Sequence, residues 1–297
     1  MSQLPVFFAR RLRGVPIMPK RIALFFLSLT LLLAAGCAAK GPAQPDFTHG
    51  SAGAAEGRTL VISIFADDPD YAWTASAEDM ARMAECCEYL RIAADYTADV
   101  AAAYGNRADI VADFETHPDL CYRAAFPASI VSDDGADAAV WQFIDAEIDV
   151  PYLLSHYDAP HCVFFLFLNT DAASTPITCT RTWYESMPYP YEIVYLYRMD
   201  SGVVNCPAVY AHELFHAFGA PDYYMPDPEF AIGEDFVAYA AQTMPYDIMN
   251  YCSDPATDTY LYDAIHNPTG DLTAYYIGLT DQCGLAGEWG LAPSPPQ

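Results

Sequence analysis

Residues 212–222 read HELFHAFGAPD, a pattern that predicts a helix followed by a turn. Residues four apart on an α-helix lie on the same face, so His212 and His216 can direct their imidazoles at one metal ion. Glu213 lies at the edge of that face, where its carboxylate can take a proton from water instead of binding the ion. The stretch therefore predicts a divalent-metal site with its own general base.

A third ligand must come from beyond the helix, because another residue on the same helix would lie too far along the axis. Gly219 tolerates the positive φ that ends helices, and Pro221 prevents the helix from continuing. Asp222 then follows as the predicted third ligand. The alternative is a core helix with two incidental histidines, which the joint spacing of five residues disfavours.

The pattern His-Glu-x-x-His-x-x-Gly-x-x-Asp resembles that of metzincin metallopeptidases in which aspartate is the third ligand, such as snapalysin and the immune inhibitor A family. The resemblance implies a zinc endopeptidase that acts on a protein or peptide, with Zn²⁺ bound by His212, His216 and Asp222 and with Glu213 as general base. It also implies an α+β fold with a mixed twisted sheet, long helices, an active-site helix and a small, loop-rich C-terminal subdomain.

A second feature of that clan is a methionine-containing turn beneath the metal, and residues 246–251, YDIMNY, resemble it. Met249 would be the methionine of that turn. Tyr251 matches the position at which astacin-like members carry a tyrosine that contacts the zinc or the oxyanion, and it is predicted to be catalytic. Without the resemblance, Met249 is a core residue and Tyr251 is one of 22 tyrosines.

The N-terminus predicts export. Five basic residues and no acidic residue precede an apolar run at 22–35, too short for a bilayer span of about 20 residues. The run ends in Ala35-Gly36-Cys37, which resembles a bacterial lipobox. Residues 1–36 are therefore predicted to be a lipoprotein signal peptide, with Cys37 lipidated and the protein anchored outside the cytoplasm by that lipid alone. The alternative is an ordinary secretory signal with an incidental cysteine.

Residues 37–58 are rich in Ala, Gly, Pro and Ser, and we expect them to form a flexible tether. The chain has a net charge of −26, and removal of the signal would leave −31. This charge argues against binding of nucleic acid or of an anionic membrane by the folded part. The acidic residues are read as a solvated surface, with structural Ca²⁺ as a minor alternative.

Eight cysteines remain besides Cys37, an even number that suggests up to four disulfides in an exported chain. The spacing does not determine how they pair. A thiolate metal cluster is disfavoured because the chain has no Cys-x-x-Cys pair. These cysteines are Cys86, Cys87, Cys121, Cys162, Cys179, Cys206, Cys252 and Cys283.

The metallopeptidase domain is predicted at 59–285, with an upper subdomain at about 59–219, a lower one at about 220–285, and a disordered tail at 286–297. A domain of this size can bury a full core, so we expect a monomer. The sheet edge that would receive an extended peptide is a strand within 176–184 or within 191–198. Hydrophobic patterns predict strands at 59–66, 108–114, 162–168 and 193–197, and helices at 76–104, 137–148, 207–218 and 272–279.

Two other functions fit the same sequence. One is a membrane-anchored binding or sensing protein with a vestigial zinc site, which the intact Glu213 disfavours. The other is a zinc hydrolase that acts on a non-peptide ester or amide, which the motif alone does not exclude.

Overall fold

The computed structural model describes residues 50–112, 115–173, 178–183 and 191–292. The predicted signal peptide and the predicted lipidation site Cys37 lie outside these residues. Among the helices of the described part, none combines the length and apolar character needed to cross a bilayer.

A six-stranded mixed sheet forms the centre of the fold. Its main path runs β2-β1-β4-β6-β5, and β3 also pairs with β1. All pairs are parallel except β5 with β6. A short antiparallel pair, β7 and β8, follows the sheet. The strands are β1 (Gly57–Asp67), β2 (Ala108–Val111), β3 (Cys121–Ala125), β4 (His161–Leu168), β5 (Cys179–Trp183), β6 (Tyr191–Tyr197), β7 (Met199–Asp200) and β8 (Val203–Val204).

The central strands are continuous apolar runs because both faces of the sheet are covered. Successive side chains of β1 alternate between two hydrophobic clusters: Val61 and Phe65 join one face, whereas Leu60, Ile62 and Ile64 join the other. The strands thus form the middle layer of a three-layer arrangement, with helices on each side.

Within the residues that the structure describes, seven α-helices pack on the two faces of the sheet. Helices α1, α4, α5, α6 and α7 contribute to the cluster that contains Phe65, and α2 and α3 contribute to the opposite cluster. Ser76 caps α1 by accepting a hydrogen bond from the backbone N–H of Asp79 at 3.0 Å. The helices are α1 (Ala77–Ala103), α2 (Ala136–Glu147), α3 (Val150–Tyr157), α4 (Pro207–Ala217), α5 (Glu234–Thr243), α6 (Asp271–Tyr276) and α7 (Gly284–Trp289).

The α+β class and the mixed sheet are confirmed, while membership of the metzincin fold stays a prediction. Sequence patterns predicted β1, β2, β4, β6, α1, α2, α4 and α6 within a few residues. They did not predict β3, α3, α5 or α7. The edge strand, for which two segments were considered, is β5.

The predicted tether, residues 37–58, ends earlier than expected, because the chain packs against the domain from Gly50 onward. The N–H of Ala52 donates to the carbonyl of Ala217 at 2.9 Å, and the N–H of Ala55 donates to that of Ile277 at 2.7 Å. Both Ala52 and Ala55 are completely buried. The small side chains that suggested flexibility instead let this backbone approach the end of α4 closely.

The predicted disordered tail, residues 286–297, is also corrected in part. Residues 286–289 lie in α7, with Ala286 and Leu291 buried. The Trp289 ring packs against the rings of Phe236 and Tyr239, with centroids 5.5 and 5.1 Å apart. These apolar contacts order a segment whose Gly and Pro content suggested disorder, and residues 293–297 lie outside the described part.

The cysteines that the structure describes as thiols include Cys86, Cys121, Cys162, Cys206, Cys252 and Cys283. Burial raises the pKa of Cys86 to about 12, with a smaller opposing effect from a Tyr210 hydrogen bond. The disulfides expected from the even cysteine count therefore stay a prediction.

Candidate metal centre

Helix α4 carries the first two predicted ligands and lies almost entirely within the protein. Pro207 begins the helix, where its missing N–H costs no hydrogen bond. Ala211 and Leu214 join the core on the α1 side of the sheet. His212 and Glu213 are nevertheless buried as well, at 6% and 5% exposure. Such burial of polar side chains is costly unless they have partners.

The turn after α4 brings Asp222 back to the histidines. Gly219 has a φ of +104°, a conformation that favours glycine, and its N–H donates to the carbonyl of His216 at 2.7 Å. The N–H of Ala220 donates to the carbonyl of Phe215 at 3.0 Å. These two bonds satisfy the last carbonyls of the helix and reverse the chain, as the sequence predicted.

Three ligand atoms converge at this point. The Nε2 atoms of His212 and His216 are 3.1 Å apart. Asp222 Oδ1 lies 3.1 Å from the first and 3.3 Å from the second. Zinc binds such atoms at about 2.0–2.2 Å, so two ligands of a tetrahedral ion lie about 3.3–3.5 Å apart. The triangle is therefore close to one face of a zinc tetrahedron.

Hydrogen bonds at the Nδ1 atoms of both histidines determine which tautomer each ring adopts at Nε2. His212 Nδ1 contacts the carbonyl of Ile248 at 2.8 Å, and His216 Nδ1 contacts that of Ala220 at 2.7 Å. A carbonyl only accepts, so each Nδ1 carries a hydrogen, and each ring would present its Nε2 lone pair to a cation once it carries no second proton. Asp222 Oδ1 is buried with no hydrogen bond of normal geometry. The donor set thus fits a cation.

The pKa values of the two groups agree with that conclusion. Burial lowers the pKa of His216, but the close carboxylate of Asp222 and the charge of Glu213 outweigh burial and raise the pKa to about 9. Burial likewise raises the pKa of Asp222, yet contacts with His212 and His216 hold it far below its usual range. The centre attracts positive charge, and in the metal-free protein a proton supplies it.

The segment predicted as a methionine turn lies against this centre. Met249 is fully buried, and its carbonyl accepts the N–H of Tyr223 at 2.9 Å, one residue after Asp222. Ile248 supplies the carbonyl that orients His212. The segment thus orients the His212 ring and holds the chain that follows Asp222.

Asp247, which sequence reasoning did not single out, organises that turn. Its carboxylate accepts hydrogen bonds from the N–H groups of Met249 at 3.0 Å and Gly270 at 2.8 Å, and from the Thr273 hydroxyl at 2.8 Å. Burial raises the pKa of Asp247 despite these bonds. Its position directly before the Ile-Met pair in the sequence was the available signal, because an Asp side chain commonly stabilises a turn by accepting a hydrogen bond from the backbone N–H two residues further on.

Glu213 lies within the same cluster but is held differently from the ligands. One ligand atom each from His212, Glu213 and His216 lies within 4.8 Å of the others. The Thr180 hydroxyl contacts Glu213 Oε2 at 2.8 Å. Glu213 therefore lies beside the two histidines, and its role as a base and not a ligand stays a prediction.

Tyr251 and Tyr224 both line cavities at the centre, and only Tyr251 was predicted to have a role there. Tyr251 lines the larger of two cavities at the site, and its phenol is about half exposed. Tyr224 lines both cavities, and its ring stacks on His212 with centroids 6.3 Å apart. Partial burial and then the charge of Asp222 raise the pKa of Tyr224, so its phenol stays protonated and able to donate. Tyr224 lies two residues after Asp222 in the sequence, and that proximity to the predicted ligand was the signal that could have singled it out.

The two cavities flank the metal position. One, of about 520 Å³, lies between α4 and the 250–252 segment, and its lining includes Val209, Tyr251 and Tyr260. The other, of about 350 Å³, is lined by residues that include Asp222 and Thr180 of strand β5. His212 faces the first cavity, His216 faces the second, and Glu213 faces both.

Comparisons of the chain with protein-family models, with curated proteins and with solved structures find no match. The resemblance to the metzincins therefore depends on the residues of the site. Of the residues predicted from the sequence, the structure brings together His212, Glu213, His216 and Asp222, whereas the role of Met249 as the methionine of a turn beneath a metal stays a prediction.

Proposed function

We propose that this protein is a zinc-dependent endopeptidase in which Glu213 is the general base. The observation that carries the proposal is the convergence of three lone-pair donors, His212, His216 and Asp222, at spacings suited to tetrahedral zinc beside a buried carboxylate. A zinc ion held by these residues would acidify water and polarise a carbonyl group.

Residues around the metal site would transfer the proton, stabilise the oxyanion and orient the two histidines. Glu213 accepts the proton of the attacking water and returns it to the leaving amine. Tyr224, which lines both cavities, would donate a hydrogen bond to the oxyanion that develops on the substrate, in place of Tyr251, the tyrosine predicted from the sequence, which lines one cavity. The carbonyls of Ile248 and Ala220 keep both imidazoles in the ligand tautomer.

The surroundings of the centre favour an extended peptide over a small ester. Among the strands of the described residues, β5 ends the main sheet path and pairs only with β6, so its other edge would receive an added strand. Thr180 links this strand to the base directly. Cavities of about 520 and 350 Å³ on the two sides of the metal position offer room for side chains on both sides of the scissile bond.

Export and lipid anchoring at Cys37 remain part of the proposal, on the strength of the N-terminal sequence alone. The high negative charge suits a soluble domain outside the cytoplasm. Calcium as an additional structural ion stays a prediction to which no residue is assigned.

The proposal is tested with residues 38–297, which lack the predicted signal. Casein and a mixed peptide library are compared with small ester and amide substrates, before and after removal of metal by a chelator. Peptide cleavage that is lost with the chelator and restored by zinc is expected. Turnover of esters alone would favour the non-peptide hydrolase, and zinc binding without any turnover would favour the binding or sensing protein.

A further inference from the structure

The hydroxyl of Thr180 makes the side-chain contact that holds the proposed base. Thr180 Oγ1 lies 2.8 Å from Glu213 Oε2 and 3.2 Å from the backbone carbonyl oxygen of Glu213. The two residues are 33 positions apart in the chain, on strand β5 and helix α4. The contact is therefore a product of the tertiary fold and not of the metal-binding motif.

The strand pairing explains why Thr180 faces the helix. Thr180 lies opposite Val194 on β6, and Val194 belongs to the hydrophobic cluster that includes Leu214 of α4. Cys179 lies opposite Tyr195, which belongs to the cluster on the other side of the sheet. Because successive side chains alternate between faces, Thr180 points towards α4.

The hydroxyl has a single hydrogen to donate, and the shorter contact is to the carboxylate. Donation to Oε2 restricts the rotation of the Glu213 side chain. Glu213 also faces both cavities, so one carboxylate oxygen is held while the group stays open to a substrate. A base that is fixed in this way does not have to be ordered at each turnover.

We propose that Thr180 is a positioning residue that orients Glu213 for proton transfer, an inference that rests on the proposed peptidase function. Thr180 also belongs to the edge strand that would pair with an extended substrate. Substrate pairing would therefore hold the strand that carries the hydroxyl, and so it would reinforce the orientation of the base.

Steady-state kinetics test the role in catalysis. Thr180→Val removes the hydroxyl at nearly constant shape, and Thr180→Ser restores it. We expect Thr180→Val to lower kcat about tenfold with KM changed by less than about twofold, and Thr180→Ser to recover most of kcat. Thr97→Val is the matched control, because the Thr97 hydroxyl is buried in α1 and donates to the carbonyl of Ala93 at 2.8 Å. Zinc content should be the same in all variants.

An equal kcat in Thr180→Val and wild type would overturn the inference, as would a Thr180→Ser variant as impaired as Thr180→Val. Thermal unfolding of the metal-free proteins provides a readout that needs no activity. Thr180→Val should lower Tm by roughly 3–10 °C when Glu213 is present, and by clearly less in a Glu213→Ala background. The same decrease in both backgrounds would mean that the two side chains do not interact.

Different experimental results would refute the role of Thr180 and the proposed peptidase function. An active wild type with unchanged Thr180 variants overturns only the role of Thr180. A wild type that binds zinc but cleaves no peptide overturns the peptidase proposal, and the catalytic role of Thr180 with it.

Discussion

Substitution of Gly50 provides the strongest test of the finding that residues 50–55, before β1, pack against the end of α4. A Cβ on this residue would lie 2.1 Å from the carbonyl oxygen of Ala217 and 2.6 Å from the nitrogen of Gly219. Both are backbone atoms, so no side-chain rotation relieves the clash. Gly50→Ala therefore requires the segment or the end of α4 to move by about 1 Å or more.

The loss in the free energy of unfolding follows from the hydrogen bonds that this displacement would break. The segment would lose the hydrogen bond from Ala52 to Ala217 and the hydrogen bonds between Ser51 and the buried Glu192. Overpacking and the loss of these bonds together predict a destabilisation of about 2–4 kcal/mol. For a domain of this size that is a decrease in Tm of roughly 4–16 °C. Zinc affinity should fall about 10–100-fold, because the Gly219 turn positions Asp222.

Thermal unfolding and zinc titration of Gly50→Ala check this prediction. Gly287→Ala is the matched control, because nothing lies within 4 Å of its added Cβ and the residue is in α7. Alanine in that helix should raise the free energy of unfolding by about 0.5–1 kcal/mol. A Gly50→Ala variant with the Tm and zinc affinity of the wild type would refute the packing of residues 50–55 against the site.

Two further predictions concern catalysis and acid stability. Tyr224→Phe should lower kcat about 10²–10³-fold, whereas Tyr251→Phe should change it much less; the reverse order would restore the sequence-based assignment. Asp79 is buried at the start of α1, and hydrogen bonds from Thr74 hold its pKa far below the usual value. A depressed folded-state pKa means that the ionised carboxylate stabilises the fold above the unfolded pKa of about 3.9, and that this stabilisation is lost as pH falls. Asp79→Asn should therefore be destabilised near neutral pH, and the difference in Tm from wild type should shrink below about pH 4; a constant difference would contradict it.

The metal centre was predictable because most of it is local in sequence. The spacing of His212 and His216 places them on one helix face, and Gly219 identifies the turn before Asp222. The apolar runs of β1 and β4 likewise predicted buried strands. These features depend on the residue spacing of helices and strands alone, so a single sequence was enough to predict them.

The remaining features depend on contacts between distant parts of the chain. Thr180 approaches Glu213 only because β5 pairs antiparallel with β6 at the sheet edge, a choice that local patterns left open. Gly50 lies in a segment whose composition suggested a linker, and its close approach to α4 has no local signal. Trp289 orders a Gly- and Pro-containing tail through aromatic contacts that the sequence does not show.

The central claim is that Glu213 acts as a base beside zinc and is not one of its ligands. Casein cleavage should therefore be measured for wild type and Glu213→Gln at equal, verified zinc content, with the exposed Glu78→Gln of α1 as the control. We expect Glu213→Gln to retain one zinc per chain and to lose at least about 10²-fold in rate, with Glu78→Gln unchanged. Cleavage by zinc-loaded Glu213→Gln at the wild-type rate would contradict the proposed mechanism.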